Sequence, residues 1–265
     1  MQIKYYAAVG YPEVTSALES ISESKMHLEI EVQDPRWILQ VCELPVVRKL
    51  GNTLSNKGIR AHVQGPFLDL APGSLDPYIR DHTRSLFLRT VEIAGNLQAE
   101  YLTLYSGYSP LLHSGVIDQW LEVCLPLWRE TAEAAERHGL RVLVANLFEE
   151  DPGVQLRIIE GCGDVPCGAC LDLAHAFIYS KKKLSTWVNS LAEHLKLAYL
   201  NDTKGKDDSH LPLGQGKIPF KDFYNSCLKK GVKPDIVFKM PLAQALQSMQ
   251  TVRRLGLGQY QMDLL

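Results

Sequence analysis

The chain has 265 residues, of which 46% are hydrophobic and 22% are charged. This composition excludes a disulfide-stapled miniprotein and a disordered chain, and the length is sufficient for a large hydrophobic core without crosslinks. The net charge of −2 provides no general attraction to nucleic acids or to anionic membranes. No apolar run approaches the roughly 18 residues of a membrane span.

The first residues, MQIKYY, lack the basic-then-apolar layout of a signal peptide. The six cysteines fall mostly within apolar segments, as reduced core residues do. We therefore expect a cytoplasmic protein without a membrane or nucleic-acid partner. The oligomeric state stays open.

Short β-like segments alternate with longer helical patterns along the chain. The predicted strands are 2–9, 27–32, 60–64, 101–105, 141–146, 168–172, 195–201 and 235–239. The predicted helices are 12–23, 35–57, 77–96, 112–139, 152–160, 184–193, 219–230 and 241–255. Eight such units predict an α/β fold, a single (β/α)8 barrel that occupies residues 1–265 as one domain. A doubly wound sheet is the main competitor, but the turn after the first strand, residues 9–12, is not a glycine-rich phosphate loop.

The active site of such a barrel lies at the carboxyl ends of its strands. The polar and aromatic residues predicted to end strands or to follow them are Gln64, Tyr105, Asn146, Asp172, Tyr199 and Lys239. The longest loop at this end, residues 202–218, is polar and glycine-rich. It is therefore predicted to lie at the surface, above the barrel.

One constellation among these segments has the composition of a metal site. Asp172 and His175 follow the sixth strand, and Asp208 and His210 share one side of an extended loop. Two imidazoles with one or two carboxylates suit one divalent ion of zinc, manganese or iron and leave a position for water or substrate. The alternative is that His175 is a satisfied buried histidine and that Asp208 and His210 are only solvated.

Three thiols with the spacing Cys162-x4-Cys167-x2-Cys170 form a second candidate. They could begin a zinc or iron–sulfur site, but no fourth ligand is evident. Small buried thiols are common in strands, so core cysteines are the favoured interpretation.

A run of lysines, 181–183, lies near Lys204 and Lys206 of the long loop. Together they could form a cationic rim for a phosphorylated ligand. A solvated face is the more common meaning of such a run.

The strand-end motifs, taken in chain order, resemble those of the xylose isomerase-like barrels, the superfamily of AP endonuclease family 2 and the sugar phosphate isomerases and epimerases. The resemblance covers most of the chain. Its motifs are Gly65-Pro-Phe-Leu-Asp-Leu70, Ser106-Gly-Tyr108, Asn146-Leu-Phe-Glu149, Cys170-Leu-Asp-Leu-Ala-His175, and Asn201-Asp202 leading to Asp208-Ser-His-Leu-Pro-Leu-Gly214. Residues 65–80 also resemble the cobamide-remodelling phosphodiesterase branch.

The resemblance implies that most metal ligands of the family have been replaced here. Five positions expected to carry histidine or glutamate hold Gln64, Tyr105, Ala145, Tyr199 and Lys239. The endonuclease-type members hold one metal with the positions matching His175, Asp208 and His210, and these are kept.

Isomerase chemistry has less support from the same comparison. The isomerases hold their metal with the positions matching Ala145, Asp172, Tyr199 and Lys239, and use the two glutamates among them as acid and base. Only the aspartate remains. We hypothesise that the Lys239 ammonium pairs with Asp172 across the barrel mouth and replaces the lost metal electrostatically, which makes these two the predicted catalytic residues.

Three functions remain open. In the first, a divergent barrel binds an anionic sugar-, nucleotide- or corrinoid-like ligand through Gln64, Tyr105, Asn146, Tyr199 and Lys204. In the second, a mononuclear-metal phosphoester hydrolase, similar to endonuclease IV or to the cobamide-remodelling enzymes, uses the triad of His175, Asp208 and His210. In the third, a metal-independent isomerase or lyase uses Lys239, which would require a depressed lysine pKa.

Overall fold

The computed structural model describes residues 3–254, in which eight parallel strands close into a barrel. Each strand pairs with the next, and the last pairs with the first. The strands are β1 (Tyr5–Gly10), β2 (His27–Glu31), β3 (Ala61–Gln64), β4 (Tyr101–Tyr105), β5 (Arg141–Ala145), β6 (Cys167–Asp172), β7 (Leu195–Leu200) and β8 (Asp235–Phe238). The predicted (β/α)8 fold is therefore confirmed. Residues 1–2 and 255–265, which the predicted domain, first strand and last helix include, lie outside the described residues.

Helices cover the outside of the barrel. They are α1 (Val14–Ser24), α2 (Leu44–Asn56), α3 (Pro77–Asn96), α4 (Ile117–Arg137), α5 (Gly153–Gly161), α6 (Leu173–Tyr179), α7 (Leu184–Leu191), α8 (Phe220–Lys230) and α9 (Leu242–Arg254). The short helix α6 was not predicted, because it is only seven residues long and follows its strand without a loop.

Two predicted helices are shorter than expected. The segment 35–57 is broken at Cys42 and Glu43, where the backbone is extended between a π-helical turn (Trp37–Val41) and α2. Pro45, in the first turn of α2, has no N–H to continue an earlier helix. The segment 112–139 begins with two short turns, Pro110–His113 and Ser114–Val116, before α4 starts.

The apolar core has two parts of unequal size. The larger lies between the strands and the surrounding helices. The smaller fills the inside of the barrel and is made by Tyr6, Tyr105, Leu143, Ala145, Cys170, Leu197, Tyr199 and Val237. All six cysteines are free thiols, and every one except the half-buried Cys167 is buried. These positions agree with the interpretation of core cysteines.

Charged and polar side chains share the inside of the barrel with this smaller cluster. Glu29, His62, Gln64, Asp235 and Lys239 are all buried there. Buried charges are costly unless they are paired. The contacts of these groups therefore decide what each end of the barrel can do.

The packing of α2 against the end of α3 leads to a stability prediction. A Cβ atom on Gly51 would lie 2.5 Å from the carbonyl oxygen of Asn96 and 3.0 Å from backbone atoms of Leu97. Helix propensity alone favours alanine at this position, whereas the collision with backbone opposes it. We expect Gly51→Ala to lower the free energy of unfolding by about 1–3 kcal/mol in denaturant titrations.

Gly115→Ala is the matched control, because nothing lies within 4 Å of the Cβ position there. Its effect should stay within about 0.5 kcal/mol. A stabilised Gly51→Ala protein would contradict the packing described for α2.

Candidate functional site

A cavity of about 1250 Å³ opens at the carboxyl ends of the strands. We call it the mouth. Residues from several strand ends and loops line it, among them Glu31, Gln64, Phe67, Tyr105, Phe148, His175, Tyr179, Asp208, His210 and Lys239. The mouth therefore combines charged groups with aromatic rings.

The floor of the mouth is built around the ammonium of Lys239. Its Nζ donates to Glu31 Oε1 and Gln64 Oε1, lies 3.5 Å from Glu29 Oε1, and is 4.9 Å from the centre of the Tyr199 ring. The Tyr199 hydroxyl in turn donates to Glu29 Oε2 at 2.9 Å. The side chain of Lys239 is only 6% exposed. This network surrounds the ammonium with acceptors that match its charge.

The predicted ion pair between Lys239 and Asp172 is wrong. Lys239 pairs with the two glutamates of β2, and Asp172 pairs instead with the imidazole of His175. The prediction omitted Glu29 and Glu31, which supply the carboxylates nearer to the ammonium.

The charges of the floor follow from burial and pairing. Burial alone would lower the pKa of Lys239, but Glu31 and Glu29 outweigh it and the pKa is raised. Lys239 is therefore protonated, which gives no support to a Schiff-base role. Burial raises the pKa of Glu29 to about 7, although Lys239 opposes this shift.

Asp172 and His175 form one wall of the mouth. The Asp172 carboxylate caps α6, because its Oδ1 accepts the backbone N–H of His175 at 3.0 Å. Its Oδ2 lies 3.0 Å from His175 Nδ1. The side-chain amide of Asn146 makes two hydrogen bonds to the backbone of Asp172. It accepts one from the N–H and donates the other to the carbonyl. These contacts fix the imidazole so that its Nε2 faces the mouth.

The loop that carries Asp208 and His210 is anchored by the buried carboxylate of Asp202. This carboxylate accepts the backbone N–H groups of Thr203, Gly214, Gly216 and Ile218 at 2.8–3.1 Å. The backbones of Asp202 and Leu211 also pair in both directions. The polar loop predicted for residues 202–218 is therefore held rigidly over the barrel at its two ends.

The two imidazoles converge on a single carboxylate oxygen. His175 Nε2 and His210 Nε2 lie 3.1 and 3.0 Å from Asp208 Oδ2. Asn201 donates to the other oxygen of Asp208 at 2.8 Å. His210 has a left-handed backbone with φ of 47°, and its Nδ1 contacts the backbone carbonyl of Lys239 at 2.6 Å. A non-glycine residue in this conformation is costly and is held there by its contacts.

The sequence predicted His175, Asp208 and His210 as metal ligands. The structure places each imidazole Nε2 against Asp208 Oδ2, and the metal role of the three residues stays a prediction. In each histidine the second ring nitrogen is held by a carboxylate or a backbone carbonyl, as is usual for histidines that bind metals.

Without a metal, protons supply the positive charge of this triad. Burial opposes the charge on His175, but Asp172 and Asp208 raise its pKa to about 10. The hydrogen bond to Asp208 also raises the pKa of His210. Burial works against ionisation of Asp208, and the two imidazoles hold its pKa well below its ordinary value.

The predicted ligand-binding residues divide into two groups. Gln64 and Tyr105 line the mouth. Asn146 and Tyr199 are buried behind it and make structural hydrogen bonds, and Lys204 is an exposed loop residue outside the lining. Sequence reasoning missed Glu29 and Glu31, although the alternation in His27-Leu-Glu-Ile-Glu31 places both glutamates on one face of β2.

The fold and its mouth define the class: a (β/α)8 barrel with an open, charged and aromatic cavity at the carboxyl ends of its strands. The profile of the xylose isomerase-like TIM barrels matches residues 14–255. The chain belongs to this family. None of the helices in residues 3–254 combines the length and apolarity needed to cross a bilayer.

Individual relatives show how far the similarity extends. The uncharacterized protein MJ1311 of Methanocaldococcus jannaschii is 26% identical over 235 residues, which is 83% of this chain and 77% of that protein. The crystal structure of a D-tagatose 3-epimerase-like protein superposes with a TM-score of 0.81 at 22% identity and covers 95% of this chain and 96% of the other. The TTHB071 protein from Thermus thermophilus, in a structure soaked with ZnCl2, gives a TM-score of 0.80 at 23% identity and covers 98% of this chain and 100% of the other. The two structures share the fold.

The floor leads to a prediction about pH. Because the folded state raises the pKa of Glu29 from 4.5 to about 7, its native carboxyl holds a proton that the unfolded chain releases. The wild type therefore loses stability from Glu29 as the pH rises from 4.5 through 7. In Glu29→Gln this loss is absent. The free energy of unfolding of the variant, measured relative to the wild type by urea titration, should therefore rise by up to about 3 kcal/mol over that range.

Burial lowers the pKa of His62 to about 4, so the contribution of His62 to stability rises with pH. This contribution is present in both proteins and cancels in the difference. Glu19→Gln, at an exposed site on α1, is the control and should give a flat difference. An equally flat profile for Glu29→Gln would show that Glu29 is ionised throughout.

Proposed function

We propose that the mouth binds a small sugar-like ligand carrying an anionic group, such as a sugar phosphate, on a floor whose fixed positive charge is the Lys239 ammonium rather than a metal ion. The observation that carries this proposal is the enclosure of Lys239 Nζ by Glu29, Glu31 and Gln64. The ammonium supplies the positive charge that a bound metal ion would otherwise supply, and as part of the chain it cannot dissociate. It also keeps Glu31 and Gln64 fixed at the surface of the cavity.

The walls of the mouth suit a polyhydroxylated ring. Phe67 and Tyr105 pack edge to face with centroids 5.2 Å apart, and Phe148 and Tyr179 do so at 5.1 Å. Aromatic faces cover the apolar side of a sugar ring, while carboxylate and amide groups accept and donate hydrogen bonds at its hydroxyls. Glu31 is the carboxylate among the floor residues that line the cavity.

The rim supports an anionic group on that ligand. Protonated His175 and His210 place two positive charges against the single carboxylate of Asp208. Asp172 pairs with His175 from outside the lining, and the other carboxylates of the lining are Glu13, Glu31 and Asp69. His210 is half exposed at the entrance, where a phosphate oxygen can reach its ring.

Epimerisation is not part of this proposal, although a D-tagatose 3-epimerase-like protein shares the fold. The positions that the resemblance matches to the two catalytic glutamates of the isomerases hold Ala145 and Lys239. Ala145 has no ionisable group, and the raised pKa of Lys239 keeps its ammonium charged. The pair therefore cannot exchange a substrate proton as an acid and a base.

Calorimetric titration of chelator-treated protein tests this proposal with a matched pair, D-tagatose and D-tagatose 6-phosphate. We expect both to bind and the phosphate to bind about tenfold more tightly, because one charge-assisted contact is gained at the rim. His210→Gln should remove most of that difference. Phe67→Ala should weaken both ligands equally.

Lys204→Gln is the matched control, since it removes a nearby charge outside the cavity lining. It should leave both affinities unchanged. Absence of binding by both sugars, or equal effects of Lys204→Gln and His210→Gln, would rule out the proposed mode.

The convergence of His175 and His210 on Asp208 favours a second candidate, a mononuclear-metal phosphoester hydrolase. A divalent ion held by these three residues would polarise a phosphoryl oxygen and activate a water molecule. Two further residues would position the ligands of this ion: Asp172 orients His175, and Asn201 holds the second oxygen of Asp208.

Chelation separates the two candidates. A hydrolase purified without chelator should carry about one metal ion per chain at the triad and cleave bis(p-nitrophenyl) phosphate, and EDTA or His210→Gln should abolish cleavage. Lys204→Gln is again the control. Sugar binding that persists in EDTA would favour the metal-free floor, provided that the protein did not cleave bis(p-nitrophenyl) phosphate before EDTA was added.

A further inference from the structure

A second polar cluster lies at the opposite end of the barrel, where the strands begin. It consists of His62 in β3, Glu100 immediately before β4, and Asp235 at the start of β8. One ligand atom from each of the three lies within 4.8 Å of the others. The cluster is separated from the mouth by the interior of the barrel, since Gln64 and Lys239 mark the other end of the same strands.

His62 gives this cluster an unusual feature. The side chain is completely buried and stacks on Tyr6, with ring centroids 3.9 Å apart. Neither ring nitrogen has a hydrogen-bond partner, and Nε2 stops 3.7 Å from Glu100 Oε2, beyond hydrogen-bond distance. The buried Asp235 Oδ2 also lacks a hydrogen bond. Such buried polar atoms almost always have a partner in native proteins.

From these observations we infer that His62, Glu100 and Asp235 bind a divalent transition-metal ion at the amino-terminal end of the barrel. One imidazole and two carboxylates form a donor set for zinc or manganese, whereas magnesium and calcium prefer oxygen ligands alone. Ligands about 2.1 Å from a tetrahedral ion lie roughly 3.4 Å apart. The 3.7 Å between His62 and Glu100 is close to that spacing.

The ammonium of Lys4 already lies beside this site. Lys4 Nζ lies 3.2 Å from Glu100 Oε2 and 3.7 Å from Asp235 Oδ2, the same two carboxylates. The Lys4 side chain is 21% exposed and has a flexible stem, so its ammonium can withdraw into water when an ion enters. Arg60 holds the other oxygen of Glu100 and can remain in place.

The metal would tie together strands that are far apart in the sequence. Its ligands come from β3, the start of β4 and β8, and Lys4 precedes β1, which closes the barrel against β8. Binding to the folded state alone raises the apparent stability by mass action. The consequence is a structural role, independent of what the mouth binds.

Zinc is the probe for the experiment. Crystals soaked in ZnCl2 should show an anomalous difference peak within about 2.3 Å of His62 Nε2 and of both carboxylates. In solution, calorimetric titration should detect a zinc site whose affinity falls at least about tenfold in His62→Gln, because a ligand is lost. His210→Gln, at the mouth, should not alter that site.

Lys4→Gln tests the displacement directly, and its effect does not depend on a buried substitution. Removing the competing ammonium should tighten zinc binding at His62 severalfold, whereas a purely structural cluster would show no such change. His27→Gln, on a half-buried neighbour outside the cluster, is the matched control for loss of a histidine. Absence of the anomalous peak at His62 in both the wild type and Lys4→Gln would overturn the proposal.

Discussion

The ammonium of Lys239 is the interaction on which the mouth depends. Its Nζ joins the ends of β2 and β3 through Glu31 and Gln64, and its backbone N–H donates to Leu200 at the end of β7. Its backbone carbonyl holds the ring of His210. One residue therefore pairs with the floor carboxylates through its side chain and holds the ring of His210 at the rim through its backbone.

Charge balance explains why this arrangement is stable in a buried place. Two carboxylates would repel each other in the barrel interior, and the ammonium between them reduces that cost, although burial still raises the pKa of Glu29 to about 7. The rim follows the same rule, because His175 and His210 share the carboxylate of Asp208. The resemblance implies metal ions as the source of positive charge at these places. In the proposed function the floor takes this charge from Lys239, and the rim takes it from protons or from one ion.

Buried polar atoms without a hydrogen bond occur at both ends of the barrel: Glu29 Oε1 and Asn201 Oδ1 near the mouth, and both ring nitrogens of His62 at the opposite end. At the mouth the polar groups of Lys239, His175 and His210 are engaged, and the loop above them is held by the carboxylate of Asp202. At the opposite end His62 is buried without a hydrogen bond. A barrel interior usually consists of apolar layers, so unsatisfied polar atoms within it indicate a missing partner.

Sequence patterns predicted the barrel because each strand and helix has a local signal. Eight short apolar runs separated by amphipathic segments leave few alternatives, and all eight predicted strands lie within three residues of their observed bounds in the described part of the chain. The predictions were wrong where a local signal misled: Pro45 begins a new helix inside the expected segment 35–57. The sequence also predicted that His175, Asp208 and His210 lie near one another, because His175 follows β6 and the other two follow the neighbouring strand β7.

The amino-acid sequence by itself determined the barrel, its strand order and the residues that end each strand, because these depend on periodicity along the chain. Only the tertiary structure decided which charges meet. Lys239 pairs with Glu29 and Glu31, more than 200 residues away in the chain, rather than with Asp172. The closure of β8 against β1 brings β2 within reach of Lys239, and a pairing set by closure leaves no signal in the local sequence.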